Sequence, residues 1–417
     1  MENIILNSGQ LIGAEDLRAA VKKSIDQYQA RPRRVLLIPP DFTRSKSYAG
    51  IITQIYYEEL SGCEVDIMPA LGTHAPMTER EIRQFFGDIP LNRFFVHDWR
   101  RDVVKLGEIS AQTVRELSEG KMDESIDVEV NQRLVSGVYD AIFSIGQVVP
   151  HEVAGMANYS KNIFVGCGGT SMINKTHWLG AVYGMERTMG KWDTPVRRVL
   201  NMAQEYLKDL PLTFVLTVIA SHGEKTDLQG LFIGSGQDVF VQAAQLSRKI
   251  NIIHVKKPLD QVVVYLDGDE FKTTWLGNKG IYRTRMALAD GGKLVVLAPG
   301  VKRFGEDMQI DALIRKYGYR GTDFVLKQCA GNEDLAGNRS AAAHLIHGSS
   351  EGRFSISYAA PQMTREEIEG VGFHYMGWDE AMALYNPKEL KDGFNSTPAV
   401  EVFYISNPAL GLWEYSC

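Results

Sequence analysis

The feature that most constrains this chain is the alternation of short apolar runs, each closed by proline or glycine, with amphipathic helical stretches. VLLIPP (35–40), VDIMPAL (65–71), AIFSIG (141–146) and NIFVG (162–166) are short and β-rich, which predicts buried parallel strands. AEDLRAAVKKSIDQYQA (14–30), YAGIITQIYYEELSG (48–62) and MTEREIRQFFG (77–87) have the helical period, the last with threonine and glutamates at its start. A helix over 194–211, a strand over 212–220 and a helix over 240–251 follow. A further strand lies within VKKPLDQVVVYLDGDE (255–270), with later strands in 291–300 and 352–360 and helices over 307–319 and 378–386. The pattern predicts an α/β protein.

At 417 residues the chain exceeds one ordinary core. We expect two domains, 1–256 and 257–402, each with a largely parallel sheet flanked by helices, and the active site in the cleft between them. The tail of about 403–417 is expected to return to the first domain. A net charge of -6 and a pI near 5.9 argue against a broad basic surface for nucleic acid. The start has no basic segment followed by an apolar one, and no run of about 18 apolar residues occurs. These features predict a cytoplasmic protein with no nucleic-acid or membrane partner; they leave its oligomeric state open. Cys63, Cys167, Cys329 and Cys417 show no CxxC spacing, so neither disulfides nor a cysteine metal site is expected. Most read as buried or incidental thiols, with Cys167, in a glycine turn, the candidate for reactivity.

Four segments carry candidate chemistry. In PPDFTRS (39–45), Asp41 and Arg44 follow a strand end, where an arginine fork can hold a carboxylate or phosphate; the alternative is a turn in which Asp41 caps the next helix. In ALGTHAPMTEREI, His74 occupies the same kind of loop, suited to acid/base work near neutral pH or to packing at a helix start. PHEVAGMANYSKNIFVGCGGTSMINKTH places His151, Lys161 and His177 around a turn with Gly166, Gly168 and Gly169, whose N–H groups are either a phosphate cradle or part of close packing. WLGNKGIYRTR (275–285) offers Lys279, Arg283 and Arg285 for an anion, or a solvated basic face. His344 and His347 have the spacing of a helical metal pair without a third ligand, and GSGQD (234–238) lacks the dinucleotide fingerprint.

Together DFTR, GTHAPMT, PHEVAG, Lys161 ten residues after His151, His177 twenty-six after it, and the later NKG resemble the lactate racemase family of nickel-pincer-nucleotide enzymes. The resemblance implies an isomerase, a racemase or epimerase inverting C2 of a 2-hydroxy acid by reversible hydride transfer. Its cofactor would be pyridinium-3-thioamide-5-thiocarboxylic acid mononucleotide carrying nickel, made by cofactor-synthesis proteins. It makes Lys161 the covalent tether, His177 the protein ligand to nickel, and His74 and His151 the acid/base pair. Asp41, Arg44 and Lys279 would hold cofactor or substrate, with Gly168 and Gly169 near the cofactor. Such histidines should lose function below about pH 6.5 unless their surroundings shift them.

This chain departs from the lactate-acting pattern. Phe42 stands where those relatives have histidine, Trp275 and Leu276 where they have Tyr-Gln, and Asn158, Tyr159 and Ser160 where they have Gly-Gly-Arg before the lysine. The leading substrate expectation is therefore a sugar acid such as gluconate or mannonate. Lactate or a hydrophobic 2-hydroxy acid is the alternative, the latter if Phe42, Trp275 and Leu276 line an apolar pocket. A non-catalytic protein that binds the cofactor or an anion is the reading from another class.

Overall fold

The structure is a computed structural model describing residues 2–7, 11–222, 225–397 and 400–415. The chain divides into two compact units: residues through Leu179 with Thr188–Asn251, and Gly180–Arg187 with Ile252 onward.

In the first unit a six-stranded sheet runs in the order Ile4–Leu6, Lys225–Gly234, Leu212–His222, Ala141–Gln147, Arg34–Ile38, Glu64–Ile67. The last four in that order are mutually parallel, and Lys225–Gly234 is antiparallel to both its neighbours. Alternation assigns the faces. Val35, Leu37, Ala141, Phe143 and Ile145 join one core with Leu17, Val21 and Ile25 of helix Ala14–Asp26 and Ile52, Ile55 and Tyr56 of helix Ala49–Glu59. The intervening positions Ile38 and Ser144 receive Asn162, whose Nδ2 donates to the Ile38 carbonyl (3.2 Å) and to Ser144 Oγ (3.0 Å). Helix Glu79–Phe86 begins as the sequence predicts, with Thr78 and Glu81 forming a capping box.

NIFVG is not a strand. Residues Ser160–Phe164 form a short helix, because Asn158 and Tyr159 have φ of 64° and 58° and turn the chain back on itself before the run begins. The Lys161 carbonyl then accepts from the N–H of Val165 (2.9 Å) and of Gly166 (3.1 Å). A short apolar run serves a buried helix as well as a buried strand, and periodicity cannot separate them.

The second unit has a six-stranded sheet in the order His374–Tyr375, Ser355–Ala359, Leu288–Leu297, Leu259–Tyr265, Glu401–Ile405, Gly393–Ser396, parallel except for the last pair. Leu412–Tyr415 pairs in parallel with Ile252–Val255 in the same unit. Gly180–Arg187 belongs here through Glu186, which accepts from Arg285 (3.0 Å) and Arg353 (2.6 Å) and is held below the usual carboxylate range: burial opposes this, and the two guanidinium groups outweigh it. Among the described residues no helix is long and apolar enough to cross a membrane.

Phe143 lies fully buried, its ring centroid 4.4 Å from that of Tyr56 and 6.0 Å from that of Tyr28. Phe143→Ala should destabilise the first unit by about 3–5 kcal/mol, measured by urea denaturation followed by circular dichroism.

Candidate functional site

The site grows from the carboxyl end of Arg34–Ile38. Pro40 bridges to Ala70 there, and Phe42–Arg44 form a single 3₁₀ turn after Asp41. Asp41 does not cap that turn with its side chain. Its carboxylate instead accepts from Thr43 Oγ1 and meets His74 Nδ1 at 2.6 Å. Burial alone would raise the Asp41 carboxyl; the hydrogen bond and charge of His74, with help from Thr43, outweigh it and leave Asp41 below its ordinary value. An ionised carboxylate only accepts, so His74 donates from Nδ1, and in the neutral form of the ring Nε2 holds the lone pair. The Gly72 N–H donates to the Gly166 carbonyl (2.8 Å), tying the His74 loop to the turn beyond Lys161.

Lys161 sits in the helix set up by the Asn158–Tyr159 turn. Arg197, absent from the sequence-based candidates, secures that turn: Nη1 donates to the Asn158 carbonyl (3.2 Å) and Ser160 Oγ (2.9 Å), and Nη2 to the Met156 carbonyl (2.6 Å). Arg197 is 1% exposed and lies over the Phe240 ring (4.3 Å), which also stacks on Tyr159 (5.1 Å). Burial pulls the guanidinium below its ordinary pKa. The Lys161 amine falls to about 8, first through burial, then through the positive charge of Arg44, with Arg197 adding to it.

His177 lies on helix Thr170–Tyr183, and its Nδ1 donates to the Ile173 carbonyl (2.6 Å), leaving a lone pair on Nε2. Its pKa is lowered, chiefly by burial and also by Lys161. His151 occupies the short hairpin of Pro150–His151 with Gly155–Met156, and burial brings its pKa well below the ordinary value. Glu152 opposes that shift, while Lys161, Arg44 and His177 add to it. These mutual influences place Asp41, Arg44, His74, His151, Lys161 and His177 in one cluster, with Glu152 as a further member that sequence reading missed. Both shifts run against the expectation that His151 and His177 charge near pH 6.5: burial keeps them neutral to lower pH.

The glycine turn is closely packed. A Cβ on Gly168 would lie 1.8 Å from the Phe164 carbonyl oxygen, and one on Gly169 2.4 Å from a Glu129 carboxylate oxygen. Glu129 accepts from the Ser171 N–H (2.9 Å), so the helix start already holds its own anion. His97 Nε2 meets the Gly168 carbonyl at 3.1 Å. Close packing explains these glycines. Cys167 is buried and its thiol is pushed up, the opposite of a reactive cysteine; Cys417 lies outside the described residues.

Lys279 belongs to the second unit, at the start of helix Lys279–Thr284, with Nζ 5.8 Å from the Phe271 ring centroid. Arg283 and Arg285 are buried rather than a solvated face, and Arg285 binds Glu186 and the carbonyls of His347 (3.3 Å) and Ser349 (3.2 Å). His344 is no metal ligand: its two ring nitrogens bond to Tyr282 (2.9 Å) and Tyr319 (3.0 Å). Among the described residues no group of three or more His, Cys, Asp or Glu is placed to hold a metal.

Residues 10–190 match the family model described as the lactate racemase N-terminal domain. That segment carries the lactate racemase N-terminal domain. Among solved structures, it is similar to a crystal structure of a protein from Thermotoga maritima, at 25% identity and a TM-score of 0.82, with 99% of this chain and 100% of that chain covered. It also shares its fold with the lactate racemase apoprotein from Thermoanaerobacterium thermosaccharolyticum, at 16% identity and a TM-score of 0.70, covering 98% and 95% of the two chains. A comparison with curated proteins gives no match. The cluster of His74, His151, Lys161 and His177 lies within the matched segment.

Amine labelling as a function of pH should give Lys161 a midpoint at about 8, against 10.5 for an ordinary lysine. Arg197→Met leaves buried acceptors without a donor and should cost at least about 2 kcal/mol in urea denaturation. It should also move the Lys161 midpoint upward in the same labelling experiment.

Proposed function

We propose that this protein is a racemase or epimerase of 2-hydroxy acids, working with a nickel-pincer nucleotide, and that a sugar acid is its substrate. The observation that carries the reading is a lysine amine lowered to about 8 in one cluster with three histidines, two of which, His74 and His177, leave Nε2 lone pairs. The residues suit the cofactor. Lys161 is the amine that would tether it, since a partly neutral amine is the nucleophile an amide-type bond requires. His177 would give nickel its one protein donor through Nε2, as a neutral imidazole fixed by a backbone carbonyl. When bound, the cofactor supplies the hydride acceptor that makes C2 of a 2-hydroxy acid reversibly oxidisable.

The chain's own residues do the rest. His74 and His151 meet the substrate oxygen, and Asp41 orients His74. Arg44 and Lys279 are cations suited to the substrate carboxylate or the cofactor phosphate. The preference for a sugar acid over a hydrophobic one is supported by where the aromatic replacements pack. Phe42 meets Phe85 edge to face (6.2 Å) against the first unit's core, and Trp275 lies over His344 (4.3 Å). Each ring is engaged in packing within its own unit.

Protein co-expressed with pincer-cofactor synthesis enzymes should carry nickel and a cofactor-sized covalent adduct by intact-mass spectrometry, and Lys161→Ala should carry no adduct. The loaded protein should then epimerise an aldonate at C2, followed by chiral chromatography. Failure to load beside a family member that loads normally would remove the cofactor reading.

A further inference from the structure

The two histidines that would meet the substrate oxygen are fixed in opposite ring states. His151 Nδ1 accepts from the backbone N–H of Val153 (3.1 Å) and of Ala154 (3.4 Å). A backbone N–H only donates, so Nδ1 must present its lone pair, and the hydrogen of the neutral ring sits on Nε2. His74 is the reverse: Nδ1–H is given to the Asp41 carboxylate, so the neutral ring has its lone pair on Nε2.

The hairpin that imposes this state on His151 is braced from several sides. His151 pairs with Gly155, whose φ is 79° and where a Cβ would lie 2.1 Å from the Lys191 carbonyl oxygen. The Gly155 carbonyl accepts from the Gly190 N–H (2.9 Å), and the Ala157 N–H donates to the Val149 carbonyl (2.8 Å). Placing a hydrogen on His151 Nδ1 would set N–H against N–H and cost both bonds at once. The neighbouring Lys161 and Arg44 charges oppose a cationic ring here as well, while Glu152 favours one.

Building on the racemase reading, we propose that the pair is unequal: His74 is the proton acceptor, and His151 is a fixed Nε2–H donor that hydrogen-bonds a substrate oxygen and keeps its own proton throughout. The substrate hydroxyl proton would pass to His74 Nε2 when C2 is oxidised and return from it when C2 is reduced; the bound cofactor would supply the hydride acceptor and donor. Protons and electrons balance without a second base. Configuration is decided by the face of C2 to which the hydride returns, so inversion does not demand a second proton-transfer group on the oxygen.

The first test needs no cofactor. In the full chain labelled with ¹⁵N-histidine, long-range ¹H–¹⁵N spectra near neutral pH report which nitrogen of each ring is protonated. His74→Gln and His151→Gln assign the signals. The expected result is His151 with hydrogen on Nε2 and His74 with hydrogen on Nδ1. Hydrogen on His151 Nδ1, or averaging between its tautomers, overturns the donor assignment. In loaded enzyme, His151→Gln retains an N–H donor and should lower turnover by about tenfold, whereas His74→Gln removes the base that takes up the proton and should lower it by about 10²–10⁴-fold. Equal losses overturn the division of roles. Loaded wild-type enzyme that turns over no 2-hydroxy acid would instead remove the racemase reading, with the ring states still decided by the spectra.

Discussion

The site depends on a strained turn and the arginine that holds it. Asn158 and Tyr159 both adopt positive φ, which asparagine tolerates and a bulky tyrosine resists strongly. Arg197 offsets that cost by donating to the carbonyls of Met156 and Asn158 and to Ser160 Oγ from a position closed to solvent. Tyr159 is further held between Phe214 and Phe240, at 4.2 Å and 5.1 Å between ring centroids. Because the turn is held, the next residues form a helix, Asn162 reaches the sheet at Ile38 and Ser144, and Lys161 takes a fixed place.

That placement has an electrostatic result. Arg44 and Arg197 act on Lys161 with positive charge, and burial works in the same direction, so the amine titrates far below an ordinary lysine. Burial, with the Lys161 charge adding to it, lowers the pKa of His151 and His177 as well. A neutral imidazole can ligate a metal or fix a tautomer; a charged one can do neither. Asp41 does the complementary work from the other side of the cluster, where its ionised carboxylate fixes the His74 ring. Burial and neighbouring charge thus move Lys161, His151 and His177 away from the states they would hold in water.

Much of this was legible in the chain. The strands at Arg34–Ile38, Glu64–Ile67 and Ala141–Gln147 follow from apolar runs with turn residues at their ends, and the capping box at Thr78 from a threonine three residues before a glutamate. The order of His74, His151, Lys161 and His177 marked the segment that the family model also matches. NIFVG was misread because the residues that decide its fate precede it: Asn158 and Tyr159 reverse the chain, and no periodicity within the run records that. The glycine turn left a phosphate cradle and close packing both open, and its close contact with Glu129, a residue far from it in sequence, is made only by the fold. His344 had the spacing of a metal ligand, and two tyrosines occupy its nitrogens.

The sequence by itself determined the α/β class, the strand ends where reactive side chains gather, and the residue types available for chemistry, because periodicity and turn preference act over a few neighbours. Only the tertiary structure decided the states of those residues. Arg197 meets the Lys161 turn, Asp41 meets His74, and the Val153 N–H meets His151 through the folded path of the chain. Protonation, tautomer and nucleophilicity depend on burial and on hydrogen bonds over a few ångströms, distances that folding alone sets.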